Sequence, residues 1–334
     1  MRHLTITQIG RSLNLSNELL QVREKGVVLG EYPLSRLRSV QIAGRGVAMT
    51  SNLVVDLSAR GIPLYIIDFK GRPLVQVSGT HQHAVAALRR KQILFLEHGN
   101  PAPVAGAIVR GKIKNQRAVL LYFAKGLRKS NPDQAAILEK AAVQLLALTR
   151  KLGDGQLSDT DSADWRMPIM GHEGKAAAVY WGALRDANLL TDSFKGRTGR
   201  GATDLPNQCL NLGYSILTSY VWHAVTLSGL EPYCGILHVE RPGKPSLVLD
   251  LMEEYRPWVV DRQVIKLRFQ LAQADKLDAG IRKAVIGLIH ANFAVKMAYG
   301  GKKVRLSAIL QRQVYRLCGV FHSGKRYKPF IFKW

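Results

Sequence analysis

Residues 73–97, PLVQVSGTHQHAVAALRRKQILFLE, contain the change of pattern that decides the fold. PLVQV is a short β-prone run bounded by turn residues. After His83 apolar side chains recur three and four positions apart over windows of a dozen or more, which is the helical period. Upstream, HLTIT, SLNLS, LLQV, GVVLG, SVQIA, PLYIID and PLVQV are short β-prone pieces divided by Gly, Pro, Asn or charged turns. One helix interrupts them: Thr50 or Ser51 can cap NLVVDLSAR, and Gly61 stops it. Downstream, helical windows fall at 84–97, 103–126, 132–152, 160–188, 207–229, 258–273, 279–298 and 305–319, with Asn131 and Pro132 forming a helix start. GDGQLSD at 153–159 reads as a connector, and DSFKGRTGRGATDLP at 192–206 as a basic, glycine-rich loop that is mobile in the free protein. The pattern predicts an α+β multidomain chain, with a β-rich domain over 1–80 joined to a larger all-α domain over 84–334.

With 334 residues, 47% of them hydrophobic and 22% charged, the chain can build more than one core and is not disordered, collagen-like or disulfide-framed. Its charge is unusual: 48 Lys and Arg against 24 Asp and Glu give +24. Residues 1–85 hold 10 basic and 5 acidic side chains, and residues 251–334 hold 17 and 5, so the C-terminal part is the stronger phosphate surface. A polyanionic partner explains the excess better than solubility alone. No apolar run approaches the roughly 20 residues of a membrane span, and MRHLTITQIG lacks the apolar stretch of a signal peptide, so a cytoplasmic protein with no membrane association is expected. Cys209, Cys234 and Cys318 are far apart and form no Cys-x-x-Cys pair, which points to free thiols.

Two segments could carry chemistry. In GHEGKAAAVYWGAL, residues 171–184, Glu173 shares a helical stripe with Ala177, Tyr180 and Leu184, which aims a carboxylate at a buried face. The alternative is a glutamate near a helix start, interacting with its dipole. In GILHVERPGKPSLVLDLMEEYRPWVVDR, residues 235–262, His238 lies on an apolar stretch, and Asp250 and Glu253 share a helical face. These two acids could equally form a capping box, His238 could be a core residue, and Pro257 should break or kink the element. If Glu173, His238 and Glu253 converge, two carboxylates and an imidazole without a thiolate suit Mg²⁺ or Mn²⁺. Tyr180, Trp181 and Trp222 sit at helical spacing among small apolar residues and read as core.

Several blocks together resemble the CRISPR-associated integrase family, the universal spacer-acquisition nuclease. They are PLSRLRSVQIAGRGVAMTSNLVVDLSARGIPLYIID, MGHEGKAAAVYW, LPNQCLNLGYSIL, GLEPYCGILH, SLVLDLMEEYRPWVVDR and YKPFIFKW, spread over nearly the whole chain. The resemblance implies an N-terminal β-sandwich-like domain that dimerises and a helical catalytic domain. It matches Glu173, His238 and Glu253 to the family's catalytic metal ligands and Asp250 to a further acid in or beside the ligand set. Asn207, Tyr214 and Arg256 match recurrent positions behind the ligands or against DNA.

The implied activity is a metal-dependent DNA endonuclease and integrase that inserts short foreign fragments into a CRISPR repeat array by 3′-hydroxyl attack on phosphodiesters. The implied partners are double-stranded DNA, as prespacer and repeat, a second copy of the chain, and a small companion adaptation protein in a heterohexamer-type complex. Lys195, Arg197 and Arg200 in the 192–206 loop are candidate DNA contacts. Two other functions fit the same residues: a structure-selective nuclease for branched or single-stranded DNA in repair, and a non-catalytic DNA-binding scaffold.

Overall fold

The computed structural model describes residues 2–43, 45–67, 73–77, 86–152, 165–199 and 201–333. The chain divides into two compact units, Met1–Ala84 and Val85–Trp334, and residues 78–85, where the pattern changes, lie outside the described residues.

The first unit contains two four-stranded sheets. Its strands are β1 (Arg2–Ile6), β2 (Arg11–Ser16), β3 (Leu19–Glu24), β4 (Val27–Pro33), β5 (Leu37–Ala43), β6 (Ala48–Met49), β7 (Leu64–Ile67) and β8 (Pro73–Val77). One sheet has the order β1-β5-β7-β8, the other β4-β3-β2-β6. β5 and β7 are parallel, so the chain must cross between them, and α1 (Ser51–Ala59) lies within that crossover. Leu53 and Leu57, one turn apart, point from α1 into the core. That core joins Leu4, Ile6, Val40 and Ile42 of the first sheet to Leu13, Leu20 and Val22 of the second, the packing of a sandwich.

The second unit is mostly helical: α2 (Ala86–His98), α3 (Ala102–Leu127), α4 (Pro132–Lys151), α5 (Arg166–Asp186), α6 (Leu205–Leu227), α7 (Ser246–Met252), α8 (Arg262–Lys266), α9 (Arg268–Leu271), α10 (Ala279–Ala294) and α11 (Leu306–Ser323). Buried residues of α3 and α6 run along most of both helices, placing them at the centre of its core. The expectation of an all-α domain needs correction. β9 (Lys296–Tyr299) and β10 (Lys302–Arg305) form an antiparallel hairpin where a helix was expected to run to 298. Gly300 and Gly301, at φ 57° and 76°, supply the two left-handed residues that a tight hairpin turn requires.

The element that carries Asp250 is broken just before Pro257, as expected. α7 ends at Met252, and after a short turn Arg256–Asp261 form a π-helix with Pro257 in its first turn, where its missing N–H is not needed. Behind this segment the C-terminal tail is tied in. Glu254 accepts from Tyr327 Oη (2.6 Å) and the Phe330 N–H (2.9 Å). Asn115 donates to the Glu254 and Phe330 carbonyls and accepts from the Phe332 N–H. These bonds fix α3 to the segment that carries Glu253.

Candidate metal centre

Three elements build the centre: the middle of α3, the first half of α5, and the segment running from Gly235 through α7 to the π-helix. Glu173 on α5 and Glu253 at the end of α7 meet at the ammonium of Lys112 on α3. Lys112 Nζ donates to Glu173 Oε1 and lies 2.6 Å from Glu253 Oε2. Arg256 Nε is 3.2 Å from Glu253 Oε1. Burial alone would raise the Glu253 carboxyl, but Arg256, Lys112 and His238 outweigh it and hold the group at about 2. Burial likewise works against the charge on Lys112, and Glu253 and Glu173 reverse that, raising its pKa.

His238 is positioned by Asp250. The Asp250 carboxylate is fully buried and accepts the backbone N–H groups of Ile236 (2.6 Å), Leu237 (2.9 Å) and His238 (3.0 Å). Its Oδ1 also accepts from His238 Nδ1 at 2.6 Å, which fixes the ring and leaves Nε2 as the nitrogen that could meet a metal. The capping-box alternative therefore fails: Asp250 is inside α7, and its side chain organises a neighbouring loop. Gly235 makes that loop possible, because a Cβ there would lie 2.5 Å from Ser246 Cβ and 2.6 Å from the His238 carbonyl oxygen.

A cleft of about 430 Å³ opens beside the carboxylates, lined among others by Lys112, Gln116, Trp181, Arg197, Tyr214 and Arg256. Trp181 thus faces the cleft, whereas Tyr180 is buried as core. Gln116 Oε1, buried in its wall, has no hydrogen-bond partner among the described residues. Arg197 is folded inward, donating to Asn207 Oδ1 (3.0 Å) and Asn211 Oδ1 (2.6 Å), with its guanidinium 5.0 Å from the centre of the Tyr214 ring. Asn207 also accepts the Thr198 N–H and donates to the Gly196 carbonyl, so the loop read as mobile is pinned to the start of α6.

The buried Asp261 accepts from Tyr214 Oη (2.5 Å) and Tyr180 Oη (3.1 Å). Burial pushes its carboxyl up to about 6, against those bonds and the nearby Arg197 and Arg256. A carboxyl raised by folding contributes stability that is full below its ordinary 3.8 and is lost as pH rises through about 6. Asp261→Asn should therefore remove a fall of about 3 kcal/mol in unfolding free energy across that window. Urea unfolding of both proteins at the two ends of the window checks this, and identical pH profiles would contradict it. His290, held at about 4 by burial, acts with the opposite sign as pH falls below 6.5, so the wild-type profile alone would mislead.

The candidate ligands are thus brought together in part. Glu173 and Glu253 share one cation, and His238 is near enough to lower Glu253 but is hydrogen-bonded to Asp250. Tyr214 and Arg256 line the cleft; Asn207 is completely buried and acts on the loop. Lys195 is exposed, and Arg200 lies outside the described residues. Among the described residues no three His, Cys, Asp or Glu side chains are gathered closely enough to hold a metal as they stand. The donor set nonetheless fits a hard divalent cation: two carboxylates and an imidazole free of thiolate. Glu253 Oε2 is buried 2.6 Å from Lys112 Nζ, so a metal ion taking that oxygen would take the place now held by the ammonium. Sequence reasoning missed Lys112. Its signal was a lysine between Gly111 and Ile113 on an otherwise buried stretch of α3, where a charged residue needs a partner.

The family profile described as CRISPR associated protein Cas1 matches residues 4–278. The CRISPR-associated endonuclease Cas1 1 of Francisella tularensis subsp. novicida (strain U112) is 42% identical over 334 residues, 100% of each chain. A solved structure described as a casposase bound to integration product has a TM-score of 0.80 at 21% identity, covering 100% of this chain and 95% of that one. A chain of a Cas6-RT-Cas1–Cas2 complex has a TM-score of 0.75 at 24% identity, covering 99% of this chain and 36% of that one. At those identities the two structures speak for the fold, while the full-length likeness and the profile speak for descent. The chain belongs to the Cas1 family of CRISPR-associated endonucleases.

Proposed function

We propose that this chain is the metal-dependent endonuclease and strand-transfer subunit of CRISPR adaptation, inserting short foreign DNA into a repeat array. The observation that carries this reading is the meeting of Glu173 and Glu253 at one ammonium, with Glu173 lining a cleft walled by Arg197 and Arg256, beside an imidazole that Asp250 holds in one orientation. Mg²⁺ or Mn²⁺ held by Glu173, Glu253 and His238 would supply charge to the reacting phosphate and acidify a hydroxyl. Arg197, fixed by two asparagines, and Arg256 provide positive charge that needs no reorganisation when a phosphodiester arrives. In each transfer a fragment's 3′-hydroxyl oxygen forms a bond to a repeat phosphorus as that phosphorus releases its 3′-oxygen, which takes up a proton. One phosphodiester replaces another, so no external energy source is needed.

DNA is held mainly through phosphates. Residues 279–334 contain 12 Lys and Arg and no Asp or Glu, and Lys296, Lys302, Lys303 and Arg305 are exposed on the β9–β10 hairpin. Binding should weaken steeply with salt, by about 0.9 in log K per tenfold rise for each phosphate neutralised. A titration of labelled duplex at several salt concentrations checks this, and a slope near zero would exclude a phosphate surface. Two chains are expected to pair through the first unit, whose edge strand β4 exposes Val27, Val28 and Leu29. A small Cas2-type companion is expected to complete the assembly, as in the complex described above. Among the described residues no helix is long and apolar enough to cross a membrane, and DNA as substrate agrees with work in the cytoplasm.

Half-site integration of a labelled oligonucleotide into a repeat-containing plasmid, with and without Mn²⁺ and with His238→Ala, tests the reading. Joined product that needs repeat, metal and His238 supports it. Cleavage without joining favours a repair nuclease, and DNA binding with neither activity favours a scaffold.

A further inference from the structure

We infer that Lys112 is a built-in counter-cation of the Glu173–Glu253 pair, which a divalent ion must displace before the two carboxylates can take it. The inference rests on the metal reading above and adds a residue and an order of events to it. Lys112 Nζ contacts one oxygen of each carboxylate, and its side chain is only 12% exposed. It comes from α3, whereas the two acids come from α5 and from the end of α7. Two carboxylates from separate elements repel each other, and a buried ammonium between them offsets that repulsion and holds their spacing.

The local charge sum sets the consequence. Glu173 and Glu253 carry two negative charges, and Lys112 and Arg256 carry two positive ones, so these four groups in direct contact balance, with Arg197 and the Asp250 and Asp261 carboxyls lying outside that set. A divalent ion added to this cluster would leave a doubly positive, largely buried site, which is unfavourable unless a cation leaves or an anion arrives. Lysine suits departure: a compact ammonium on a flexible four-carbon stem, whereas Arg256 is held over the Tyr214 ring at 4.7 Å. Lys112 also lines the cleft, so the released ammonium has a place beside an incoming DNA phosphate. Metal loading would then uncover a phosphate-binding charge in the same step, making metal and DNA binding mutually reinforcing.

The test uses the full-length protein and Mn²⁺ alone, without DNA. Acylation of Lys112 by a succinimidyl ester, followed by mass spectrometry, should rise severalfold when Mn²⁺ is added. Calorimetric titration should show Lys112→Met binding Mn²⁺ at least about tenfold more tightly than wild type, with Lys112→Arg close to wild type. Mn²⁺ binding to the wild type with unchanged Lys112 acylation overturns the inference and leaves the metal reading intact, as does equal or weaker binding by a folded Lys112→Met. Absence of Mn²⁺ binding in both wild type and a folded Lys112→Met overturns both. Should Lys112→Met fail to fold, the acylation result on wild type decides alone.

Discussion

Replacing Glu253 by glutamine should lower metal-dependent cleavage and strand transfer at least about 100-fold and destabilise the fold by about 3 kcal/mol. The two effects have one origin. Glu253 is 5% exposed and faces Lys112 at 2.6 Å and Arg256 at 3.2 Å. Glutamine keeps the volume and removes the charge, so Arg256 loses its ion-pair partner and Lys112 keeps only Glu173. Breaking a buried pair from one side is costly because the remaining charge stays desolvated. Adding Lys112→Met to Glu253→Gln should therefore cost less than the sum of the single changes, since the second substitution removes a charge that the first had stranded. Urea unfolding of the four proteins gives the coupling, and cleavage assays give the activity. Full stability in Glu253→Gln would mean that the ion pairs contribute little, and full activity would remove Glu253 from the reaction.

A larger stability effect is expected at Asp250. Asp250→Ala strands three backbone N–H groups and the His238 ring N–H inside the protein. At about 1–3 kcal/mol for each unsatisfied buried group, the total approaches the whole stability of a typical domain, about 5–15 kcal/mol. The variant should fail to give folded protein. Asp250→Asn keeps one acceptor oxygen and should fold, with reduced stability, while releasing His238 from its fixed orientation; such losses behind a metal ligand typically cost about 10–100-fold in metal affinity. If Asp250 served only as a metal ligand, metal-free Asp250→Ala would unfold like wild type. Gly235→Ala approaches the same cradle from the backbone, where the added methyl would strike Ser246 and the His238 carbonyl. Its activity should fall with that of Asp250→Asn although no polar group has changed.

Much of the fold was legible because its signals are local. β-prone pieces and an isolated helix identify the first unit, and the helical windows of the second follow apolar spacing at three and four residues. The misreadings have physical causes. Apolar residues at 285, 289 and 293 continue a helical stripe towards 297, and the Gly300–Gly301 turn that favours a hairpin is a weaker signal than that periodicity. At the centre, Asp250 and Glu253 share a face in sequence terms but do different work: one turns to the loop at 236–238, the other to Lys112 and Arg256.

The sequence by itself determined the order of β-rich and helical parts, the basic surface, and which acids and histidine were candidates for a metal, because periodicity, charge and residue chemistry are properties of short stretches or of composition. Only the tertiary structure decided that Lys112 stands between Glu173 and Glu253, that Asp250 holds His238 rather than joining the carboxylates, and that Arg197 folds inward over Tyr214. Those relations join α3, α5, α6, α7 and the loops between them. A side chain's partner depends on how separate elements pack, and no local propensity specifies the contact between residues distant in the chain.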